Sequence, residues 1–521
     1  MSNNKKVYKP EMPKALSLII FGGSGDLTKR KLIPSLYQLY IKERLPKSFA
    51  IVGTARTEFS DKEYRDHLLE NLKKYLPSKE LKIGKAREFL KCVHYYAMDP
   101  SEEKEYQGLK DYLEERDKEI NNPSNYIFYL ATPPSLYGVI PQHLSKVKLN
   151  EGKAYGKKNI RRIVIEKPFG YDLKSAQELN EIYTSRFEED QLYRIDHFLG
   201  KETVQNIMAL RFANGIFEPL WNRNYIDHIE VTAVENMGIE GRGGFYEGTG
   251  ALRDMVQNHL IQLLALTAME PPAVFNSETF RDEVLKVYQS IRPLSKHEIQ
   301  EHVIRGQYTA SETKGEKLKG YREEDKVDKD SRTETYVAMR LYIDNWRWGG
   351  VPFYIRTGKQ MPTKVTEIVV HFRETPHTLF SAESGNHIAP NSLTIRIQPN
   401  EGTVLKFGMK VPGSGFDVQQ VSMDFSYDTL GGVPTGDAYS RLLEDCMLGD
   451  PTLFTRSDAV EASWTFFSPI VEAWEKDDSI PLYGYPAKTW GPKESAEIIE
   501  ESGYWTNPCK NLTKTDQYCE L

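Results

Sequence analysis

The first half of the chain alternates short, nearly continuous apolar runs with longer stretches at helical spacing. The runs ALSLIIF, SFAIVG, NYIFYL and RRIVI begin at residues 15, 48, 125 and 161 and have the length and composition of strands buried on both faces. After the first run, Leu32, Leu36 and Leu39 recur on one face of a predicted helix. Strands that alternate with helices in this way predict a parallel, doubly wound sheet.

The pattern changes after about residue 200 to longer strands separated by helices, among them HIEVTAV, YVAMRLYI, KVTEIVVHF, NSLTIRIQP and TVLKFGMKV. Such a set favours a large, mixed, mainly antiparallel sheet with an exposed face suited to a subunit interface. The charge-dense stretch 311–335 is expected to be a solvated loop, and the polar C-terminus from Trp505 onward is expected to be loosely held.

Composition bounds the class of protein. The chain has 521 residues, of which 39% are hydrophobic and 27% charged, so it should bury a large core and form two domains. A formal charge of -6 gives no general attraction to nucleic acid or anionic membranes, and neither is expected as a partner. No apolar run reaches the roughly 20 residues that span a bilayer, and Gly22 and Gly23 end the first run too early for a signal peptide.

The four cysteines are Cys92, Cys446, Cys509 and Cys519. They form no CxxC pair and no spacing typical of metal ligands, so the sequence predicts neither a disulfide framework nor a metal site. A reducing, cytoplasmic location is the expectation that follows.

The first apolar run leads through GGSGDLTKRK into the first predicted helix. Free backbone N–H groups in a glycine-rich turn, together with the N-terminus of a helix, bind phosphate groups. Counted from Gly23, the usual G-x-G-x-x-G fingerprint has Gly25 in second place but Thr28 in third. Because the fingerprint is incomplete, a plain structural connection is the alternative interpretation.

Polar residues follow the other three apolar runs. Arg56 lies about 30 residues after the glycines, where a guanidinium suits the 2'-phosphate of NADP and an acid would favour NAD. Thr132 and Lys167 follow the third and fourth runs, and carboxyl ends of parallel strands line the cofactor crevice. The alternatives are a solvated arginine at a strand end and a surface lysine beside a turn, in which Pro168 suits a cis peptide bond.

RIDHFLGKE, residues 194–202, concentrates charged side chains in a short stretch. If a helix begins near Asp196, then His197 and Lys201 share a face and can reach one phosphate group. The alternative is a polar helix start in which Asp196 is the N-cap and Lys201 pairs with an acid.

A second group of candidates surrounds His259 in RDMVQNHLIQLLAL, where it lies on the apolar stripe of a predicted helix. Most such histidines are satisfied core residues, but a carboxylate such as Asp196 would fix the tautomer and stabilise the imidazolium. Asp254 and Asn258 are expected on a different, polar face of the same helix. Glu235, after the strand HIEVTAV, is a further acid that can accept hydrogen bonds from sugar hydroxyls.

Taken together, five motifs resemble the glucose-6-phosphate dehydrogenase family: GGSGDLTKRKLIPSLY, EKPFG, RIDHFLGKE, RGG followed by RDMVQNHL, and VPFYIRTGK. They follow the family's order from about residue 15 to near the C-terminus. The resemblance implies oxidation of glucose 6-phosphate to 6-phosphogluconolactone with hydride transfer to NADP, the entry step of the oxidative pentose phosphate pathway. It also implies a homodimer or homotetramer and chemistry without a metal ion.

The resemblance assigns roles to positions. His259, in QNH, matches the base that removes the proton from the anomeric hydroxyl, and Asp196, in RIDH, matches the acid that orients it. The predicted substrate-binding residues are Lys167, His197, Lys201, Glu235, Asp254, Lys359 and Lys364. The predicted cofactor-binding residues are Gly22, Ser24, Gly25, Asp26, Leu27, Lys31, Arg56, Thr132 and Lys167. The fold class expected is α/β plus α+β, with a Rossmann-like dinucleotide-binding domain over residues 1–195 and a larger β+α domain for substrate binding and oligomerisation over residues 196–521.

Some positions depart from the family pattern. Phe198 stands where tyrosine is common, which removes a hydroxyl contact to phosphate that contributes about 1 kcal/mol. Val365 and Val369 stand where members with a second, structural NADP have basic residues, which argues against that second site, although Arg356, Arg396 and Lys406 remain and leave it open. GTAR followed by Thr57 resembles bacterial members, some of which also accept NAD, and use of both cofactors stays open.

Two other readings of the sequence compete with this one. Sugar oxidoreductases of the glucose-fructose oxidoreductase type also join a dinucleotide domain, an EKP motif and a sheet domain, but they are shorter and lack this spacing of RIDH and QNH. A dinucleotide-sensing protein that kept the fold without the chemistry is the other alternative. The pair Asp196 and His259 argues against sensing, because a binding module needs no base.

Overall fold

The structure is a computed structural model that describes residues 11–152, 159–313, 315–377, 379–380, 389–430, 437–499 and 504–508. Cys92 and Cys446 are free thiols, and the other two cysteines lie outside the described residues. No helix in these ranges has both the length and the apolar character needed to cross a membrane.

Each strand named in the sequence analysis is present, together with others that were not predicted. The strands are β1 Leu16–Phe21, β2 Phe49–Ala55, β3 Val93–Ala97, β4 Tyr126–Leu130, β5 Arg161–Ile165, β6 Leu192–Ile195, β7 Ile226–Val234, β8 Val303–Thr309, β9 Ser311–Thr313, β10 Glu316–Leu318, β11 Tyr336–Tyr342, β12 Pro352–Gly358, β13 Val365–Phe372, β14 Ser392–Gln398, β15 Gly402–Lys410, β16 Val418–Ser426, β17 Phe454–Thr455 and β18 Tyr483–Pro486. The α-helices are α1 Ile33–Ile41, α2 Asp61–Tyr75, α3 Ile83–Phe89, α4 Glu105–Ile120, α5 Val139–Lys146, α6 Leu173–Thr184, α7 Glu202–Phe212, α8 Gly243–Tyr246, α9 Ile261–Ala268, α10 Ser277–Ser290, α11 Lys296–His302, α12 Ala438–Leu448 and α13 Ser457–Lys476. Thr28–Leu32 and Leu252–Leu260 are π-helices. Short 3-10 helices are Leu90–Cys92, Pro134–Leu136, Glu189–Gln191, Glu218–Leu220, Tyr321–Glu323, Tyr427–Leu430 and Lys493–Ala496.

The first sheet has seven strands among the described residues, in the order β17-β6-β5-β4-β1-β2-β3. Strands β1 to β6 pair in parallel, and all six residues of β1 are buried, as expected for a strand covered on both faces. The strand order reverses at β1, which lies between β4 and β2, so a crevice opens at the carboxyl ends of β1 and β4. The prediction of a Rossmann-like first domain is confirmed.

The second sheet has nine strands in the described part of the chain, in the order β16-β15-β14-β13-β7-β12-β11-β8-β18. Its pairings are antiparallel except for β7 with β12 and β8 with β18, which confirms the predicted mixed, mainly antiparallel sheet. The π-helix Leu252–Leu260 packs on β7 and β12 and thereby lies between this sheet and the cofactor crevice.

The chain returns to the first sheet late in the sequence. Strand β17 pairs antiparallel with β6 at the sheet edge, while α12 packs on α1 and α13 packs on α6. The Ser35 hydroxyl on α1 donates to Asp437 Oδ2 at 2.5 Å, which fixes the start of α12 against the first domain. Residues after 196 therefore complete the layer around the first sheet.

Two expectations about polar segments need correction for the residues described. Most of the described residues of 311–335 are exposed, as expected of a solvated segment, but the stretch also contains β9 and β10 and buries Tyr321, whose hydroxyl donates to Glu247 Oε1 at 2.6 Å. Residues 504–508 are anchored, because Trp505 is buried and the Thr506 N–H donates to Glu230 Oε2 at 2.9 Å. Aromatic and hydroxyl groups placed singly among charged residues are enough to hold these segments.

Candidate active site

His259 and Asp196 meet between the two sheets. His259 is 1% exposed, and its Nδ1 lies 2.6 Å from Oδ1 of Asp196, which directly follows β6. The Phe198 N–H donates to the same oxygen at 2.9 Å and fixes the carboxylate. Because an ionised carboxylate only accepts hydrogen bonds, Nδ1 carries the proton and Nε2 presents a lone pair.

Nε2 of His259 faces Lys167, whose Nζ lies 2.9 Å away. Lys167 follows β5 and precedes Pro168 through a cis peptide bond. Burial lowers the pKa of His259 below its ordinary value; the positive charge of Lys167 acts in the same direction, and Asp196 opposes both. The imidazole is therefore neutral near pH 7 and able to accept a proton at Nε2.

Asp254 lies beside the same lysine, with Oδ1 3.0 Å from Lys167 Nζ. Burial alone would raise the pKa of Asp254, but Lys167 and Lys359 outweigh burial and hold the pKa well below its usual range. The expectation that Asp254 and His259 occupy different faces is wrong, because the helix that carries them is a π-helix. In a regular α-helix residues five apart lie about 140° apart around the axis, whereas the i to i+5 pattern of a π-helix brings them to one face.

Lys359 and Glu235 extend the row of alternating basic and acidic side chains that begins with Lys167 and Asp254. They follow the adjacent parallel strands β12 and β7, whose last residues, Gly358 and Val234, are paired in register. The Lys359 ammonium is bonded to the Glu235 carboxylate and lies 3.8 Å from Asp254 Oδ2. Lysines and acids that alternate in this way offer both donors and acceptors to a polyhydroxylated ligand.

A second set of basic groups near His259 consists of His197, Lys201 and Lys364. The expected helix start at Asp196 is wrong, since residues 197–200 form turns and α7 begins at Glu202. Within that turn the Lys201 N–H donates to the Phe198 carbonyl at 3.1 Å. This hydrogen bond brings the two residues close enough for their side chains to be in contact. Lys201 Nζ lies 4.3 Å from the centre of the Phe198 ring.

These basic groups lack neutralising acids in hydrogen-bond contact among the described residues. Lys201 Nζ donates to Gln398 Oε1 at 2.6 Å, a neutral partner. Burial and the nearby charge of Lys364 lower the pKa of Lys201 to about 8. The His197 ring centre lies 4.6 Å from that of His259, and burial lowers the pKa of His197 well below its usual range. An anion bound between Lys201 and Lys364 would relieve the repulsion between their positive charges.

The cofactor candidates lie along the carboxyl edge of the first sheet. Gly22 has a φ of +91°, and a Cβ there would lie 2.1 Å from the Ala131 carbonyl oxygen, so the turn requires glycine. Thr28, in place of a third glycine, donates its hydroxyl to the Gly22 carbonyl at 2.9 Å and closes the turn. Gly25 also closes it, because its N–H donates to the Gly22 carbonyl at 2.8 Å.

The remaining cofactor candidates differ in exposure. Ser24 lies 3.3 Å from Thr57 through their hydroxyl oxygens, and Leu27 packs against the core. Three charged candidates are exposed to solvent, namely Asp26, Lys31 and Arg56. Asp26 forms an ion pair with Arg30. Thr132 has a buried hydroxyl oxygen with no hydrogen-bond partner. The glycine cradle and this unsatisfied hydroxyl both fit a dinucleotide bound across the carboxyl ends of β1 and β4.

Sequence reasoning missed contacts made by residues distant in the chain. Glu166 is 8% exposed and accepts from the Tyr129 hydroxyl at 2.6 Å, and burial raises its pKa. Tyr439 on α12 lies near both Glu166 and the His197 ring. The signal for Glu166 was its position directly before Lys167, whereas nothing local indicated Tyr439 or Gln398.

Two family models match the chain. The model described as "Glucose-6-phosphate dehydrogenase, NAD binding domain" matches residues 19–206, and the model described as "Glucose-6-phosphate dehydrogenase, C-terminal domain" matches residues 208–506. Together they cover each candidate site residue and nearly all of both sheets.

Similar proteins cover nearly the whole length of the chain. It is 48% identical over 506 residues to glucose-6-phosphate 1-dehydrogenase of Treponema pallidum (strain Nichols), with 97% of each chain covered. It is 49% identical over 498 residues to the protein of the same name from Aggregatibacter actinomycetemcomitans, with 95% and 98% covered. A solved glucose-6-phosphate dehydrogenase in complex with its substrate glucose-6-phosphate superposes with a TM-score of 0.86 at 34% identity, covering 96% of this chain and 100% of that one. The Mycobacterium avium glucose-6-phosphate 1-dehydrogenase superposes with a TM-score of 0.81 at 34% identity, with 96% and 99% covered.

Proposed function

The chain belongs to the glucose-6-phosphate dehydrogenase family, and from this premise we propose that it oxidises glucose 6-phosphate to 6-phosphogluconolactone with NADP as the preferred acceptor. The observation that carries the proposal is the pair of contacts made by His259, to Asp196 at Nδ1 and to Lys167 at Nε2. A buried, neutral imidazole oriented by a carboxylate is a base for a hydroxyl proton.

The proposed reaction begins with proton removal. His259 Nε2 takes the proton of the anomeric hydroxyl, the anomeric C–H bond breaks, and its electron pair leaves as hydride while the C–O bond becomes the lactone carbonyl. The bound nicotinamide supplies the hydride acceptor. Asp196 stabilises the imidazolium that forms, and Lys167 places a positive charge beside the oxygen that loses the proton. This sequence of steps needs no metal ion.

Substrate recognition is divided between the two sides of His259. We assign the sugar hydroxyls to Asp254, Glu235 and Lys359, whose carboxylates and ammonium alternate along the ends of the π-helix, β7 and β12. The phosphate group is assigned to His197, Lys201 and Lys364. Binding energy from phosphate, remote from the reacting carbon, holds that carbon in place for hydride transfer.

The cofactor assignment rests on the carboxyl edge of the first sheet. Gly22, Gly25 and the neighbouring residues of the glycine turn would receive the pyrophosphate, and Lys167 would approach the nicotinamide end. Arg56, exposed after β2, offers a guanidinium to a 2'-phosphate, which supports a preference for NADP over NAD. NAD is a second acceptor in this proposal.

Assembly of copies is part of the proposal. The β15–β16 hairpin leaves large apolar side chains in solvent, among them Met409 at 53% and Met423 at 62% exposure. Such a patch on the end of a sheet supports a homodimer or homotetramer built through the second sheet. We also retain a division into a cofactor domain ending at residue 195 and a substrate domain after it.

The test is a turnover assay with glucose 6-phosphate and either NADP or NAD, with unphosphorylated glucose as the control substrate. We expect reduced nicotinamide with both cofactors, a higher kcat/KM for NADP, and little turnover of glucose. His259→Asn should remove most turnover and leave substrate binding in place. A folded protein that binds nucleotide but turns over neither cofactor would overturn the proposal in favour of a sensing protein.

A further inference from the structure

Three side chains of the kinds that bind metals converge on the second sheet, far from the proposed reaction. His228 and Glu230 lie on β7, and His371 lies opposite His228 on β13. One ligand atom from each lies within 4.8 Å of the other two. Alternate residues of a strand share a face, so register alone places these three together. Glu235, at the active site, follows His228 by roughly 23 Å along the strand, at about 3.3 Å per residue.

The three side chains converge at one oxygen. Glu230 is 1% exposed, and its Oε1 lies 3.0 Å from His371 Nε2 and 3.7 Å from His228 Nε2. The other ring nitrogen of His228, Nδ1, lies 2.7 Å from Asp227 Oδ2. A carboxylate behind a histidine in this way fixes the tautomer that leaves Nε2 as a ligand, as is usual around protein-bound metals.

A fourth oxygen comes from the anchored C-terminal segment. The Thr506 hydroxyl lies 2.8 Å from Glu230 Oε1 and 3.2 Å from His371 Nε2. Arg356 holds the same residue by donating from Nη2 to the Thr506 carbonyl at 3.1 Å. The donor set is therefore closed on three sides by β7, β13 and residues 504–508.

Hydrogen bonds already join the members of this cluster, so a metal ion would take the place of the protons between them. The two imidazole rings are stacked, with centres 4.1 Å apart and planes 15° apart, so two imidazolium charges would repel at close range. A neutral ring either donates from Nε2–H to the Glu230 carboxylate or, as the other tautomer, offers its Nε2 lone pair to a cation. A divalent cation accepts lone pairs from all three groups, after the rings rotate to direct both Nε2 atoms at one point.

We propose that His228, Glu230 and His371 bind a divalent transition-metal ion that fastens the C-terminal segment to the second sheet. Two imidazoles and one carboxylate are a donor set that zinc favours, with the Thr506 hydroxyl or water in the fourth position. The site has a structural role separate from the proposed hydride transfer. The sequence contained no metal motif because the ligands lie on different strands and come together only through register.

The test uses the full-length protein stripped of metal with a chelator and dialysed. Zinc is titrated by calorimetry, and cobalt(II) is titrated by its visible absorption, which reports ligand geometry. We expect about one zinc per chain, loss of that binding in Glu230→Gln and His371→Ala, and roughly 10- to 100-fold weaker binding in Asp227→Asn. Turnover of each variant shows that it has folded.

Controls separate this site from other ligands in the chain. Asp196, His197 and His259 also lie within 4.8 Å of one another, so His259→Asn should leave the zinc stoichiometry unchanged. A variant with both Cys509→Ser and Cys519→Ser should behave in the same way. Absence of zinc binding by the wild type, or wild-type binding by folded Glu230→Gln and His371→Ala, would overturn the proposal.

Discussion

Asp196→Asn tests the arrangement of the proposed base directly. The change removes the carboxylate that lies 2.6 Å from His259 Nδ1 and keeps nearly the same shape. A hydrogen bond to a charged group contributes about 1.5–3 kcal/mol, which at about 1.4 kcal/mol per factor of ten is a loss of roughly 10- to 150-fold in imidazolium stabilisation. When the new amide group donates to Nδ1, the proton moves to Nε2 and the base is lost, so the total fall in kcat should reach about 100- to 10,000-fold.

The assay is steady-state formation of NADPH with glucose 6-phosphate across pH. In the wild type, kcat/KM should rise with pH through the pKa of His259, which burial holds below its ordinary value, and reach a plateau near neutral pH. Loss of the Asp196 charge lowers that pKa further, so the acid limb of the variant should move to lower pH. KM for glucose 6-phosphate should stay within about threefold, since Asp196 faces the base rather than the sugar.

A matched control is Asp445→Asn on α12. Asp445 is 3% exposed and accepts from Arg441 Nε at 2.9 Å, so it is, like Asp196, a buried aspartate beside one basic side chain. Its replacement should leave kcat unchanged. The reasoning about Asp196 would be refuted by a kcat within threefold of the wild type, by an acid limb that moves to higher pH, or by an equal fall in kcat in the control.

Two further predictions concern the phosphate group of the sugar substrate and the 2'-phosphate of NADP. Lys201, with a pKa of about 8, loses its charge as pH rises through that value, so kcat/KM should fall on the alkaline side, and Lys201→Arg should move that fall to higher pH; an unmoved limb would exclude Lys201 from the phosphate site. Arg56→Ala should raise KM for NADP by roughly 10- to 150-fold, the cost of a charge-assisted hydrogen bond, and change KM for NAD by less than about twofold; equal effects on both cofactors would contradict contact with the 2'-phosphate.

Much of the fold could be predicted because its strands are strongly apolar and lie between clear turns. The runs that became β1, β2, β4 and β5 read as buried parallel strands, and the crevice at their carboxyl ends follows from that arrangement. The same logic placed Lys167 and Arg56 at one edge of the sheet. These are consequences of local pattern and of general rules for parallel sheets.

The rest depended on geometry that local patterns do not encode. A regular helical period cannot reveal a π-helix, so the sequence pattern places Asp254 on the wrong face relative to His259. The turn before Lys201 is stabilised by Asp196 accepting from the Phe198 N–H, a contact that looks the same in sequence as an N-cap. Tyr439 lies near Glu166 and Thr506 contacts Glu230, and in both pairs the partners are more than 250 residues apart in the chain, so only the tertiary fold brings them together.

The late return of the chain to the first sheet has a consequence for synthesis. Strand β17, which covers the edge of β6, follows Ile195 by roughly 260 residues, and at about 5–20 residues per second the ribosome needs some 13 to 50 s to make them. During that time β6 is an exposed strand edge, able to pair with other nascent chains. The first sheet is therefore finished last, and the dependence of the chain on chaperones should be greatest before Phe454 emerges.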